Sequence, residues 1–372
     1  MTSAVVKKGP GLFLAQFLGA NAPFDTLERI CRWASEQGFT CVQLPSWDSR
    51  VIDLDEAAQS KAYCDDLVAR IISYGLKDGV AELATHLQGQ LMAVHPAYSK
   101  LFAGFAPAKF DTDNARLAWA SDQLVKAIKA SHNLGLKAMP SFTGSFLWPY
   151  IYPWPQRPAG LVETAFEEHG RRWTPILDVA GELGVSVAFE LHPGEDVHDG
   201  VTFDRFLTAV RNHKAVGINY DPSHFVLMGL DYVGFIHRYG QRITAYHVKD
   251  AELGHDDATA GFYGSFADWP KRLGRFRSLG DGQVDFEQIE LAFAHSVQAN
   301  AGIARVLEWE CCLKGKRQGA REGAPFIKAL LAGDTLPLSG EVQAHQDGAF
   351  DDFAKTGIDK ALCREVLGLS PE

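Results

Sequence analysis

No apolar run in this chain approaches the ~20 residues that a membrane-spanning helix needs. No GxGxxG or GxxxxGK(S/T) follows any apolar segment, so the usual signatures of dinucleotide and nucleotide binding are missing. Positive charge is in deficit: 36 Lys and Arg stand against 46 Asp and Glu, a net charge of −10. That balance argues against a protein working by neutralising phosphate backbones, so no nucleic-acid partner and no membrane partner are expected. Cysteine is scarce, six in 372 residues, with no CxxC spacing, which points to reduced thiols and a cytoplasmic setting. Internal repeats and low-complexity segments are absent. Lys7 and Lys8 before GLFLAQFLGANA imitate a signal peptide, but the apolar run is short and broken by Gln16. It leads straight into a helical pattern, so a first strand is the expectation.

What is present is an alternation of apolar runs and amphipathic segments. The strand-like runs fall at 11–19, 40–45, near 80–94, and at 136–144, 185–191, 216–221, 243–248 and 305–310. Helical periodicity fills 24–39, 55–74, 113–133, 161–183 and 202–210, then the segment around EQIELAFAHSVQAN and the later APFIKALLAG. Strands alternating with helices imply βαβ units and a parallel sheet. Eight of them imply a closed (β/α)8 barrel with extended βα loops. The chain is expected to form a single domain over 1–372, with the barrel at about 11–332 and a partly helical C-terminal extension at about 333–372. The tail is expected to cover the barrel bottom or contact another subunit, which keeps a homo-oligomer open.

Acids and histidines recur at the ends of the later runs: VAFELHP (Glu190, His192), VGINYDPSH (Asp221, His224), ITAYHVKD (His247, Lys249) and RVLEWEC (Glu308, Glu310). Glu190 and Asp221 are 31 residues apart, Asp221 and His247 26. A barrel of eight units in ~250 residues spends about 30 residues per unit and places catalytic groups at the C-terminal ends of its strands. The last gap, 61 residues to Glu308, contains a Gly- and aromatic-rich stretch at 251–284 that reads as an inserted loop. At its start, Asp250, Glu252, His255, Asp256 and Asp257 read as a solvated acidic loop. Three carboxylates and one imidazole at one barrel mouth suit a hard or borderline divalent metal. A desolvated acid is costly in a core, which favours function for such residues.

These four motifs resemble the xylose-isomerase-like barrel superfamily over roughly 11–332. In particular they are similar to its sugar phosphate isomerase/epimerase proteins, relatives of ketose 3-epimerases and apurinic-site endonucleases. The resemblance implies Glu190, Asp221, His247 and Glu308 as metal ligands, with Mn²⁺ or Mg²⁺ first and Zn²⁺ or Co²⁺ also accommodated. Glu310, two residues on and on the same side of a strand, competes with Glu308 for the last place, and Glu308 is favoured. GDGQVDF (280–286) matches the superfamily's Gly-rich segment before its seventh helix.

The chemistry then expected is proton abstraction beside a metal-polarised carbonyl of a ketose or keto-sugar, through an enediolate. Glu190 and Glu308 would be the acid/base pair, with Glu310 in reserve. His192, His224 and His86 are candidates for substrate hydroxyls, with His95 beside them; Lys249 and Arg321 are candidates for steadying negative charge. Trp148 lies in GSFLWPYIYPWPQRP (144–158), either an aromatic wall against a sugar ring or simple loop packing. The partner is a small carbohydrate, unphosphorylated because no phosphate-binding motif is present. A lyase or deglycosylating enzyme acting on 3-keto-glycosides is the alternative. An apurinic-site-type endonuclease and a non-catalytic sugar-binding barrel are weaker readings.

Overall fold

The computed structural model describes residues 8–298, 300–341 and 359–370. Lys7 and most of the C-terminal tail (342–358) lie outside these described residues. Among the described residues ten strands occur in chain order: β1 Lys8–Phe13, β2 Cys41–Pro45, β3 Gly79–Ala84, β4 Ala138–Ser141, β5 Ser186–Glu190, β6 Val216–Tyr220, β7 Ile243–Val248, β8 Asp250–Leu253, β9 Gly274–Arg277 and β10 Ala304–Leu307. Eight of them form one parallel sheet in the order β3-β2-β1-β10-β7-β6-β5-β4, with β8 and β9 apart as an antiparallel pair. The sheet nearly closes on itself. Between β3 and β4 the Thr85 backbone N–H and hydroxyl both donate to the Pro140 carbonyl, at 2.8 and 3.0 Å.

Strands buried on both faces read as continuous apolar runs, and β2, β4 and β6 are buried along their whole length. The helices begin where short polar side chains take up their free N–H groups. Thr112 accepts from Ala115 N at 3.2 Å to start Asp113–Asn133, and an Asp199–Thr202 capping box starts Gly200–Ala209. At β10 a fully buried Arg305 makes a bidentate pair with Glu290, both contacts 2.8 Å, tying the last strand to the helix Phe286–Ser296. That geometry satisfies both charges at once, which a buried pair requires.

The main departures from the sequence reading are two strand ends, one inserted stretch, and the helix read at 55–74, which is two helices, Leu54–Gln59 and Lys61–Ser73. The first strand ends at Phe13 instead of running to 19, and the last ends at Leu307 instead of 310. The stretch expected to be an inserted loop carries the β8–β9 hairpin. Its acids are not solvated as a group. Glu252 pairs with Arg275 across the hairpin, and Asp250 is buried with four backbone N–H groups on its carboxylate. In the tail, Lys360–Val366 is helical. Among the described residues no helix is long and apolar enough to cross a membrane.

Candidate metal centre and cavity

Glu190 is the last residue of β5, Asp221 follows β6, His247 is the penultimate residue of β7, and Glu308 follows β10. Parallel strands share a direction, so all four side chains meet at one mouth of the barrel. One ligand atom from each lies within 4.8 Å of the others, and all four residues are buried. His247 is central: its Nδ1 is 3.0 Å from Glu190 Oε2 and 2.9 Å from Glu308 Oε2. Glu308, not Glu310, completes the cluster. Glu310 is displaced outward, pairs with the Lys249 ammonium and faces a cavity.

Neighbouring side chains hold these groups in place. The Glu190 Oε2 atom accepts from Asn219 Nδ2 (2.6 Å) and His86 Nε2 (3.2 Å), while Oε1 accepts from His224 Nε2 (3.1 Å). Glu308 Oε1 accepts from Gln16 Nε2 at 2.9 Å. The Nε2–H of His247 faces Gln43 Oε1 at 3.1 Å, and the Gln43 amide donates to buried Glu82 at 3.4 Å. A Gln carbonyl on Nε2 keeps a proton on that nitrogen, so that when the Nδ1 proton leaves, the lone pair it uncovers faces the carboxylates. Asp221 Oδ1 caps the next helical turn through Ser223 N and Oγ, at 2.8 and 2.7 Å.

Electrostatics show what the cluster is built around. Burial opposes charge on His247 and Lys249, yet Glu308 with Glu190 and, for Lys249, Glu308 with Glu310 outweigh it and hold both well above their usual ranges. Burial likewise opposes ionisation of Glu190 and Glu308, but the cations around them hold both well below the carboxylate range. His224, desolvated but beside Asp221, is pushed up to about 9, whereas burial and the charge on His224 push His192 down. Three carboxylates packed this closely need compensating positive charge.

A divalent cation fits that need. Asp221 Oδ2 is buried with no hydrogen-bond partner among the described residues, although His224 Nε2 and Lys249 Nζ approach to 3.3 and 3.7 Å. The oxygen and imidazole donors match Mn²⁺, Mg²⁺, Zn²⁺ or Co²⁺. A cation among Glu190, Asp221, His247 and Glu308 would take the place of the Nδ1 proton.

Just outside lies a cavity of about 410 Å³, within the range of small-molecule sites. His192, His224 and Glu310 line it nearest the cluster, and Trp148 and Ile151 of the aromatic loop contribute a wall. That loop is anchored by buried Asp196, which accepts from Ser145 Oγ (2.6 Å), Phe146 N (2.8 Å) and Leu147 N (2.9 Å). His86 is brought to the cluster. His95 is not: it accepts from Ala97 N and bonds Tyr150 within the loops. Arg321 stands exposed on the helix Lys316–Ala332, away from the cluster and the cavity lining. Gln16, Gln43, Glu82 and Asn219 escaped the sequence reading. The available signal was a lone amide or acid inside an otherwise apolar strand run.

The family model for xylose isomerase-like TIM barrels matches residues 31–330. The chain belongs to that family. An inosose dehydratase of Lacticaseibacillus casei is 31% identical over 147 residues, 38% of this chain and 49% of that protein. The chain thus spans about half the length of the curated relatives it matches. Among solved structures, a 3-keto-D-glucoside 4-epimerase of E. coli superposes with a TM-score of 0.57 at 15% identity, covering 87% of this chain and 98% of that one. A barrel protein of Mycobacterium smegmatis in complex with magnesium gives 0.52 at 14% identity, covering 82% and 88%. At such identities these two structures speak to fold alone.

Proposed function

We propose that this protein is a divalent-metal-dependent isomerase or epimerase of ketoses or keto-sugars, with Glu190, Asp221, His247 and Glu308 as ligands and Mn²⁺ or Mg²⁺ as the working ion. The observation that carries the reading is the pair of glutamates. They come from β5 and β10, separated by β6 and β7, and both reach the same imidazole nitrogen at 2.9–3.0 Å. Bound there, the cation supplies a Lewis acid that polarises a ketone oxygen and acidifies the neighbouring C–H. Glu190 removes that proton from one face of the carbon, and Glu308 returns one to the other. Inversion needs two such groups, and a single base would only exchange the proton on one face. Lys249, 3.3 Å from Glu308 Oε2, holds positive charge beside the oxygen that becomes negative. His192 and His224 at the cavity floor contact substrate hydroxyls.

The test is to incubate Mn²⁺-loaded protein with a panel of ketoses, keto-sugars and keto-glycosides in deuterated water and follow the products by NMR. An epimer or isomer carrying solvent deuterium at carbon is expected. No exchange across the panel would sink the reading.

One observation favours a second reading, a lyase or deglycosylating enzyme on 3-keto-glycosides. His224 lines the cavity and its Nδ1 has no hydrogen-bond partner among the described residues, so it is placed to give a proton to a departing oxygen. The dehydratase named among the relatives accords with it. Release of the leaving group without an epimer would establish it over the first.

A further inference from the structure

The cavity beyond the metal cluster has two chemically distinct halves. Its floor is polar: His192 and His224 pack at 4.1 Å between centroids, and Glu310 pairs with Lys249. Phe276 of β9 marks the boundary. Its ring meets the His224 ring edge-on at 5.4 Å, takes the Lys249 ammonium over its face at 4.2 Å, and packs on Trp269 at 4.9 Å on its other side. Beyond Phe276 the wall is carbon: Trp148, Ile151, Leu227, Met228, Trp269 and Phe262. The Arg272 guanidinium there lies over Trp269 at 4.8 Å, and its Nε donates to the Ala267 carbonyl at 2.9 Å.

From this geometry we infer that the outer half is a subsite for an apolar, planar group attached to the sugar, so that the substrate is an aryl keto-glycoside and not a free sugar. The inference rests on the keto-sugar reading of the inner site. A second sugar ring would bring hydroxyls into a wall with few partners for them, and unpaired hydroxyls are costly to desolvate. An aromatic ring needs no such partners and gains from apolar contact with Trp148, Trp269 and Phe262 along the wall. The rim is built to cover such a group. Phe262 and Tyr263 are 58% and 69% exposed, an arrangement that leaves large rings in water until something lies beneath them. Tyr263 meets Tyr152 at 5.6 Å, so the β8–β9 insertion and the 144–158 loop touch over the opening. Both insertions depart from a minimal barrel, and both end at this chamber.

The experiment compares methyl and phenyl 3-keto-β-D-glucosides with Mn²⁺-loaded wild type and Trp269→Ala. Two readouts are followed, solvent-deuterium incorporation and equilibrium binding by calorimetry. Burial of the phenyl ring should lower its KM and Kd about tenfold or more relative to methyl. Trp269→Ala should erase most of that advantage, read as the phenyl-to-methyl ratio within each protein so that any effect passed through Phe276 to the inner site falls on both compounds. Trp148→Ala provides the same comparison if Trp269→Ala does not fold. Equal affinity for the two glycosides, or an equal loss for both in the variant, overturns the subsite. Exchange on both compounds without a phenyl preference removes the subsite and leaves the keto-sugar chemistry standing. Phenyl-selective binding with no exchange on either does the reverse. Failure of both compounds to bind overturns the subsite.

Discussion

Replacing Glu308 by Gln removes one of three negative charges from the cluster and leaves the shape of the side chain unchanged. Its Oε2 is 2.9 Å from His247 Nδ1 and 3.3 Å from Lys249 Nζ, and its Oε1 already accepts from Gln16. At an effective dielectric of about 20, two unit charges ~4 Å apart attract by ~4 kcal/mol. If relaxation and water recover about a quarter to a half of that, a deficit of about 2–3 kcal/mol remains, roughly a 30- to 150-fold weaker Kd for the cation. Glu310→Gln acts differently. The four donors stay in place, but Lys249 loses one partner and leans harder on Glu308 and Asp221, so it competes modestly with the metal. A loss below about fivefold is expected there, near 1 kcal/mol. Calorimetric titration of Mn²⁺ into chelator-stripped protein reads both numbers, with circular dichroism confirming that each variant folds. If Glu310→Gln weakens Mn²⁺ more than Glu308→Gln does, the assignment is wrong and Glu310 is the ligand.

Gln43→Leu removes the carbonyl that holds the His247 tautomer, so Mn²⁺ should bind about 10- to 100-fold more weakly at unchanged stoichiometry; unchanged affinity would refute the role. Asp250→Asn should lower stability by about 1–3 kcal/mol in urea melts, because an amide NH₂ would face the Gly280 and Gly282 N–H groups that now donate to Oδ2 at 3.0 and 2.9 Å. A variant as stable as wild type would show that the Gly-rich loop does not depend on this anchor. Glu195, buried and desolvated despite accepting from Gly144 N at 2.5 Å, is pushed up to about 8. A carboxyl whose pKa is raised by folding stabilises most below its unfolded value and loses that contribution as pH rises through about 8. The melting temperature of Glu195→Gln relative to wild type should therefore climb between pH 5 and 9, and a pH-independent difference would contradict this.

The cluster's spacing was legible because parallel strands return to the same mouth, so Glu190, Asp221, His247 and Glu308 each mark one strand end. Periodicity located the helices Asp113–Asn133 and Leu161–Leu183 with the boundaries observed. Strand ends were harder. The extra apolar residues of 14–19 pack into the core after β1 has finished, so composition cannot show where pairing stops. Asp250 looked like part of a solvated acidic run because sequence does not reveal that Gly280, Gly282 and Val284 fold back to donate to it. Gln43 and Asn219 were passed over as lone amides in apolar strands, since their partners lie 204 and 29 residues away. Arg321 was misleading in the opposite sense: a charge near the last strand in sequence, it sits on the solvent side of an outer helix.

The central claim is that the four-residue cluster holds the ion on which activity depends. Crystals grown from Mn²⁺-loaded protein, measured at the manganese absorption edge, place that ion directly. One anomalous peak per chain is expected, within about 2.0–2.4 Å of donor atoms from Glu190, Asp221, His247 and Glu308, and chelation should remove both the peak and the exchange of substrate protons with solvent. A peak elsewhere in the chain, or full exchange activity after exhaustive chelation, would contradict it.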